Sequence, residues 1–372
     1  MHILFPTFTR MPTSKVHGIQ VSHMCEAFAS EGIKVTLLTP KLTNEHEVYE
    51  FYGVKNNFSI KTLPSFGSIA WGRVGYILQM STFSVSFFFY ALFTKHHIIF
   101  SREELPLLLT RFLSSKRVWE IHNEKLNYLV KQVIKTSDII ISISPGLTEF
   151  CVKHGAKKNP VATVVNAVSS DRFNVTKNVS KLESREKVGL PLDKKLILYT
   201  GNLVEWKGVV CLAESTNYLS ETELVVFVGR VDVEMKERLM SVGVLEKMLF
   251  IAEQPYEQIP YYQKSADILV LPTSGATQRA RLFTSPIKLF EYMLSGVPIV
   301  ATDIPSTRAI LTDDIAWFAT PDEAKSLAQT CLTVLDSKNT DTRIKQERMS
   351  SVVNEYSWRN RAKKILTFVT VN

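Results

Sequence analysis

Lys207 and Gly208 stand together after one apolar run and before a helical pattern. A lysine in that place can bind a diphosphate as a compact cation, and a glycine lets the backbone approach a ligand closely. A surface lysine followed by a helix-start glycine fits the same letters. The pair therefore predicts an anion site or a plain turn, and both readings stay open at this point.

Residues 283–303 read FTSPIKLFEYMLSGVPIVATD and predict a helix marked at both ends. Ser285 fits the N-cap and Pro286 the first helical position, while Gly296 suits the residue after the helix. Amides near Thr284 and Ser285 would then favour a phosphate. Glu291 has two interpretations: it pairs with Lys288 at i,i+3, or it accepts hydrogen bonds from the hydroxyls of a ribose.

Other polar residues also follow predicted strands. His122 ends the strand VWEIH, and Arg102 follows HIIFS at the equivalent place. A lone histidine is more often structural than catalytic, but the end of a strand is where parallel sheets bind ligands. Gly18 closes the loop after the first strand and is expected just before a helix, where free amides attract an anion.

Several ligand classes lose support because their motifs are missing from the sequence. It contains neither GxGxxG nor GxxxxGK[ST], which disfavours dinucleotide dehydrogenases and P-loop NTPases. We find no DxD and no His/Cys cluster with metal spacing, so no metal is expected. The four cysteines are far apart and are expected to be reduced core residues of a cytoplasmic protein.

The charge is one-sided along the chain. Residues 1–180 carry 20 Lys+Arg and 12 Asp+Glu, and residues 51–100 contain four basic groups and no acid. This balance favours an anionic membrane surface or ligand, with a solvated basic face as the alternative. The apolar tract 77–93 is shorter than the roughly 20 residues of a membrane span. It is expected to be a buried helix or one lying in the membrane interface.

Strand and helix signals alternate along the 372 residues in two successive series. Each series predicts one doubly wound α/β domain. Their expected bounds are 1–178, joined by a C-terminal helix at about 356–372, and 179–355, with a polar linker after residue 168. Ligands are expected in the cleft between the domains, at the carboxyl ends of the strands.

The motifs in this order resemble those of the GT-B retaining glycosyltransferases of family 4, the glycogen-synthase-like group. The segments that carry the resemblance span nearly the whole chain: HGIQVSHMCEAFASEGIKVTLLTP, ISISPGLTEFCVKHG, VVNAVSSDRF, LYTGNLVEWKG, IPYYQKSADILVLPT, SPIKLFEYMLSGVPIVATD and YSWRNRAKKIL. The resemblance implies a GT-B α/β fold of two facing Rossmann-like domains, with the C-terminal helix crossing back to the first domain.

The resemblance also implies roles for single residues. Lys207 and Gly18 would meet the donor diphosphate, Glu291 would hold the nucleotide ribose, and His122 would lie near the reaction centre. Together with motif position, this assigns catalytic roles to His122, Lys207 and Glu291. The residues assigned to the acceptor are His17 and Arg102. Those assigned to the donor are Gly18, Gly201, Asn202, Lys207, Arg230, Thr284, Ser285 and Glu291.

The implied reaction moves a sugar from a UDP- or GDP-sugar to an acceptor hydroxyl, with retention and without metal or another cofactor. A lipid-linked or cell-surface glycan acceptor and a peripheral contact with the cytosolic membrane face are expected, and no nucleic acid. Domain closure would exclude water.

Two departures from the family pattern motivate an alternative. Phe283 stands where many members have a glutamate, and Asn202 stands where a basic residue is usual; Arg230, Arg279 or Arg281 would have to compensate. A catalytically silent scaffold for a partner transferase is therefore the alternative. A nucleotide-sugar epimerase is less supported because no dedicated acid/base pair is evident.

Overall fold

The computed structural model divides the chain into two compact units. Unit 1 comprises Met1–Val165 and Trp358–Asn372, and unit 2 comprises Asn166–Ser357. The sequence placed these boundaries at 178/179 and 355/356. The described residues are 1–13, 15–42, 44–67, 69–158, 160–336 and 340–372.

Unit 1 contains a seven-stranded parallel sheet in the order β3-β2-β1-β4-β5-β6-β7. The strands are mostly buried apolar runs, which is typical of a parallel sheet with both faces covered. Its strands are β1 (His2–Pro6), β2 (Lys34–Thr39), β3 (Ser59–Thr62), β4 (Ile98–Ser101), β5 (Lys116–Ile121), β6 (Ile139–Ser142) and β7 (Val161–Thr163). Its helices are α1 (Val16–Ser30), α2 (Glu45–Tyr52), α3 (Gly72–Phe93), α4 (Glu104–Leu109), α5 (Tyr128–Thr136), α6 (Pro145–Lys153) and, from the C-terminus, α16 (Trp358–Val371).

Unit 2 contains a six-stranded parallel sheet in the order β10-β9-β8-β11-β12-β13. Its strands are β8 (Lys195–Thr200), β9 (Glu223–Val228), β10 (Met248–Ile251), β11 (Ile268–Leu271), β12 (Ile299–Thr302) and β13 (Trp317–Ala319). Its helices are α7 (Lys181–Val188), α8 (Val209–Ser215), α9 (Val233–Val242), α10 (Ile259–Ser265), α11 (Gln278–Leu282), α12 (Ile287–Ser295), α13 (Pro305–Arg308), α14 (Ala324–Leu335) and α15 (Thr340–Val352).

The two sheets share one topological feature that positions ligands. The strand order reverses between β1 and β4 in unit 1 and between β8 and β11 in unit 2. Open α/β sheets bind ligands at the carboxyl ends of the strands beside such a switch. Thr7 and Arg102 lie there in unit 1, and Gly201 and Pro272 lie there in unit 2.

Two elements differ from the sequence expectation. The segment predicted as a linker contains α7, whose start is fixed by a reciprocal capping box between Ser180 and Glu183. The helical pattern over residues 342–369 predicts one continuous helix, but the structure has two, α15 and α16, because the chain is extended at Ser357 (φ −72°, ψ 151°) between them. Only α16 belongs to unit 1, where it packs on α1.

Candidate functional site

The carboxyl ends of β8 and β9 in unit 2 approach each other through glycines. Gly201 (φ +118°) and Gly229 (φ +148°) follow these strands directly. A Cβ on Gly229 would lie 2.2 Å from the carbonyl oxygen of Gly201. The two turns therefore leave backbone, not side chains, at this end of the sheet, where a ligand can come close.

Gly208 holds the lysine loop against the neighbouring strand. Its φ is +74°, and a Cβ there would lie 1.6 Å from the carbonyl oxygen of Pro272, just after β11. No other residue type fits this contact without moving backbone. Lys207, the last residue of a short 3-10 helix (Glu205–Lys207), is thereby fixed at the switch point between β8 and β11.

Lys288 reaches the same place from α12. Its Nζ donates to the carbonyl oxygen of Thr200 at 3.3 Å and lies 3.6 Å from the centroid of the Tyr199 ring. An ideal Cβ on Gly201 would be 3.9 Å from this Nζ. Lys288 was considered from the sequence only as a partner for Glu291. Its place in the first turn of helix α12 was the available signal for an anion ligand.

The cations of this site act on one another. Burial and the positive charge of Arg230 lower the pKa of Lys207. Burial and the charge of Lys207 lower the pKa of Lys288, against an opposing effect of Glu291. Three positive side chains thus gather at the ends of β8 and β9, where a diphosphate would relieve their repulsion.

Glu291 is buried on α12, and its Oε1 accepts a hydrogen bond from the hydroxyl of Tyr256. Tyr256, which follows β10, was not identified from the sequence. Lys288, the other predicted partner of Glu291, donates through its ammonium to the carbonyl of Thr200, while the charge of Glu291 acts to raise the pKa of Lys288. The carboxylate is oriented by a neutral hydroxyl, as a group that accepts hydrogen bonds from a ligand needs to be.

The start of α12 differs from the prediction. The helix begins at Ile287, and Pro286 is its cap with extended backbone (φ −71°, ψ 128°). Ser285 is not the N-cap, because its Oγ accepts from the amide of Asn166 at 3.1 Å and its carbonyl accepts from the Asn166 side chain at 2.6 Å. The predicted end at Gly296, with φ +70°, is confirmed.

The remaining donor-side residues have local roles in the structure. The Thr284 hydroxyl donates to the carbonyl of Ala280 at 3.1 Å, and the carbonyl of Asn202 accepts from the Tyr199 hydroxyl at 3.1 Å. Phe283 is buried at the end of α11. Its buried apolar ring stands at the position where many members of the resembling family have a glutamate.

A cavity of about 190 Å³ lies beyond Gly229, at the carboxyl ends of β9 and β10. Phe227 and Phe250 line it with their rings parallel within 8° and 5.1 Å apart. Lys236 lines the opening, 5.6 Å from the Phe250 ring centroid. Its apolar and aromatic walls suit a planar ring better than a charged group.

In unit 1, Glu120 joins the two residues predicted at the strand ends. Its carboxylate accepts from Arg102 Nε at 2.6 Å, from His122 Nε2 at 2.8 Å and from Arg361 of α16. Burial alone would raise the pKa of this carboxyl, but the two guanidiniums hold it well below its usual range. The sequence analysis missed both Glu120 and Arg361; a glutamate inside the apolar strand VWEIH was the signal.

Burial sets the protonation state of His122, and the contact with Glu120 sets its tautomer. Burial and the charge of Arg102 lower the pKa of this imidazole to about 4, against an opposing effect of Glu120. The ring is therefore neutral at pH 7, and its Nε2 carries the proton that the Glu120 carboxylate accepts. Nδ1 keeps its lone pair, so this nitrogen can accept a hydrogen bond from a hydroxyl.

His17 lies beside a second carboxyl group. Its Nε2 is 3.2 Å from Thr7 Oγ1 and 3.9 Å from Glu103 Oε1. Burial raises the pKa of Glu103 to about 7, although the amide of Phe8 donates to it. Arg102, which the resemblance assigned to the acceptor, donates to Gln20 and Glu120 within the protein. It therefore orients the side chains around it.

Gly18 is the third residue of α1, so the helix begins before it and not after it as predicted. A Cβ at this position would lie 2.3 Å from the hydroxyl oxygen of Tyr52. Close packing thus requires glycine here, whatever ligand the loop binds. Among the described residues, no group of three His, Cys, Asp or Glu side chains is arranged to hold a metal ion.

Comparison with known proteins agrees with this geometry. Residues 180–350 match the family model described as glycosyl transferases group 1. TuaC of Bacillus subtilis, a glycosyltransferase provisionally assigned to teichuronic acid biosynthesis, is 25% identical over 232 residues, which are 62% of this chain and 56% of TuaC. The lipopolysaccharide core biosynthesis mannosyltransferase LpsB of Rhizobium meliloti is 24% identical over 193 residues, 48% of this chain and 52% of LpsB. The chain thus spans little more than half the length of these two relatives.

Solved structures resemble the whole chain. Sucrose-phosphate synthase from Thermosynechococcus elongatus has a TM-score of 0.79 at 16% identity, covering 99% of this chain and 98% of that one. HepE of Anabaena, solved in complex with UDP and glucose, has a TM-score of 0.74 at 13% identity, covering 99% of both chains.

The two parallel sheets and these neighbours establish the GT-B α/β fold. Residues 180–350 of unit 2 match the group 1 glycosyltransferases, and the predicted resemblance is confirmed at that level.

Proposed function

We propose that the protein is a glycosyltransferase that moves a sugar from a nucleotide-sugar donor to a hydroxyl of a lipid-linked or cell-surface glycan. The observation that carries this proposal is the group of three cations, Lys207, Arg230 and Lys288, at the glycine turns of β8 and β9. A diphosphate carries the charge that such a group favours. The UDP complex of HepE and the biosynthetic relatives support a nucleotide sugar.

The donor would bind in three parts. The base enters the cavity between Phe227 and Lys236, the ribose hydroxyls donate to Glu291, and the diphosphate contacts Lys207 and Lys288. UDP and GDP are the candidate nucleotides. The hydroxyl of Tyr256 keeps the Glu291 carboxylate oriented, so binding of ribose costs less ordering.

The chemistry needs no enzyme nucleophile. The bond between the anomeric carbon and the β-phosphate oxygen breaks, and the acceptor oxygen bonds to the same face of that carbon. The acceptor proton passes to the departing phosphate oxygen. Lys207 and Lys288 of unit 2 stabilise the negative charge that develops on this phosphate. In unit 1, the neutral Nδ1 of His122 can accept a hydrogen bond from a hydroxyl. Retention of configuration follows, and no metal is needed.

Nucleotide titration tests the binding part of this proposal. Calorimetry with UDP and GDP should show saturable binding, and Glu291→Gln should weaken it by roughly ten-fold, because one good hydrogen-bond acceptor is lost. Glu237→Gln, on the exposed side of α9, is the matched control and should bind as the wild type does. Absence of saturable binding to any common nucleotide would falsify the transferase proposal.

Measuring turnover distinguishes an active transferase from a catalytically silent scaffold. The buried Phe283 favours the scaffold alternative. Each candidate UDP- and GDP-sugar is incubated with the protein, with and without EDTA, and release of nucleotide is measured. We expect hydrolysis or transfer with one donor, unaffected by EDTA, and a product whose anomeric configuration by NMR matches the donor. Tight binding of a nucleotide without turnover of any donor supports the scaffold instead.

A further inference from the structure

Helix α3 of unit 1 exposes apolar side chains along one face. Val74, Ile77, Val85, Phe89 and Leu92 are each between 48% and 76% exposed. With the half-buried Ser81, they recur at spacings of three and four residues, which places them on one side of the helix. We call this set the exposed stripe of α3.

The opposite face of α3 packs into unit 1. Gly75, Gln79, Phe83, Phe87 and Ala91 are buried there, and Phe83 contacts Phe8 with ring centroids 5.7 Å apart. By length and composition α3 could cross a membrane, yet 28% of its most apolar window is buried against the protein. A helix packed along one side presents only its other side, so contact along the helix fits this geometry better than spanning.

The surroundings of the exposed stripe select its partner. Arg73 is the sole charged residue of α3, and Lys95 lies just beyond its end; both are exposed. Lys55 and Lys61 are also exposed, and residues 51–100 contain no acid. An apolar face bordered by unopposed basic groups is the pattern that binds an anionic lipid surface.

Aromatic side chains stand at the start of the exposed stripe. Trp71 and Phe66 are exposed and contact each other at 5.8 Å between ring centroids. The Thr82 hydroxyl contacts both the amide and the carbonyl of Phe66, at 2.8 and 3.0 Å, which holds this ring beside the helix. Tryptophan is enriched at membrane interfaces, because its ring is apolar and its N–H is polar.

A second copy of the chain is a poorer partner for this face. A two-fold interface pairs the same surface with itself. Arg73 and Lys95 lie at opposite ends of α3, which is about 33 Å long. If the helices of two copies packed antiparallel, Arg73 of one copy would approach Lys95 of the other. The like charges would then repel at both ends.

The start of α3 also lies near the acceptor side of unit 1. Helix α3 packs on α4, and burial, with smaller effects of the Glu103 and Glu104 charges, raises the pKa of Tyr76. We propose that the exposed stripe of α3 docks unit 1 on an anionic bilayer, so that the acceptor is a lipid-linked glycan. The choice of acceptor rests on the proposed function; the docking does not.

Vesicle flotation tests the docking. The full chain is mixed with vesicles of phosphatidylcholine alone, or of phosphatidylcholine and phosphatidylglycerol in equal parts. We expect flotation with the anionic vesicles that falls as salt rises. The variant Val74→Glu/Phe89→Glu should bind at least roughly ten-fold more weakly, because two apolar groups that the bilayer would bury become charged. Arg73→Gln and Lys95→Gln should each weaken binding about five-fold.

Val233→Glu in α9 is the matched control, because Val233 is 74% exposed, as Val74 is 76% exposed. It should float like the wild type. Near-UV circular dichroism checks that each variant is folded, and UDP titration checks that it binds nucleotide. If a variant no longer floats but binds UDP as the wild type does, membrane docking and donor binding are separate properties.

Three results would overturn the docking: equal flotation of the stripe variant and the wild type, equal binding to neutral vesicles, or a dimer in solution that the stripe variant converts to monomer. Lack of binding to UDP, GDP and the other common nucleotides, with normal flotation, would refute the proposed function and leave the docking in place.

Discussion

The polar clusters at the strand ends of unit 1 and unit 2 differ in how their positive charges are balanced. In unit 1, the carboxylate of Glu120 contacts Arg102 and His122 directly and also accepts from Arg361, so the two buried guanidiniums share one carboxylate inside the protein. In unit 2, the ammonium of Lys288 rests on a carbonyl and an aromatic ring, and its cationic neighbour Lys207 repels it. The first arrangement stabilises a fold, whereas the second leaves charge available for an anionic ligand.

This difference also separates the proposed ligands. A neutral imidazole at His122 and a buried carboxyl at Glu103 suit the hydroxyls of a sugar. Clustered ammonium and guanidinium groups suit a diphosphate. Substitutions in the Glu120 cluster should therefore change mainly the free energy of unfolding, whereas substitutions among the unit 2 cations should change mainly nucleotide binding.

Glu120→Gln should have the largest effect on stability. It leaves two buried guanidiniums with a neutral partner, and breaking such a buried pair costs about 3–5 kcal/mol. Urea unfolding of the apo protein measures the loss. Glu31→Gln, which removes a more exposed pair with Arg359, is the control and should cost about 1 kcal/mol or less. If Glu120→Gln lost no more free energy of unfolding than this control, the Glu120 carboxylate would not be stabilising the two buried guanidiniums.

Glu103→Gln should change how stability depends on pH. The folded pKa of about 7 lies above the ordinary 4.5, so the contribution of the carboxyl is fully present below pH 4.5 and is lost as pH rises through 7. Glutamine stays neutral, so the variant should gain up to about 3 kcal/mol over the wild type across this window.

Urea unfolding of both proteins at about pH 5 and about pH 8 checks this prediction. Glu104→Gln is the neighbouring control and tests whether the effect belongs to Glu103 or to the whole acidic turn, because the pKa of Glu104 is also raised by burial. A stability difference between wild type and Glu103→Gln that is equal at the two pH values would contradict the assignment.

The general outline of the fold was predictable, since apolar runs alternate with helical patterns and their order sets the two sheets. Contacts over long sequence distances were not. Glu120 and Arg361 are 241 residues apart, and no local pattern announces that they meet. Ser285 was predicted as a cap from its neighbours, but Asn166, 119 residues away, engages it. The sequence placed Lys207 and Gly208 just before a helix, and α8 begins at Val209 as expected. The contact of Gly208 with Pro272 needed the structure.

Lys288→Met should do the reverse of Glu120→Gln. Removing a cation whose pKa is lowered by burial and by Lys207 should change stability by no more than about 1 kcal/mol, since the lost hydrogen bond offsets the relieved repulsion. Binding of UDP should weaken by roughly 10- to 100-fold, because a charge-assisted contact with phosphate is lost. Calorimetry measures it, with Lys325→Met on the exposed side of α14 as the control. A variant with normal UDP affinity would remove Lys288 from the donor site.

Asn202→Arg should have the smallest effect and is the most selective test of the unit 2 site. The Asn202 position lacks the basic group usual in the family, but Lys288 Nζ already lies beside Gly201, next to it. A fourth cation would add attraction to a diphosphate and repulsion with Lys207 and Lys288, so UDP affinity should rise by only about five-fold or less. Asn217→Arg, on the exposed side of unit 2, controls for the added net charge. A gain of about 100-fold would instead mean that the site is short of positive charge, and that Lys288 does not replace the missing group.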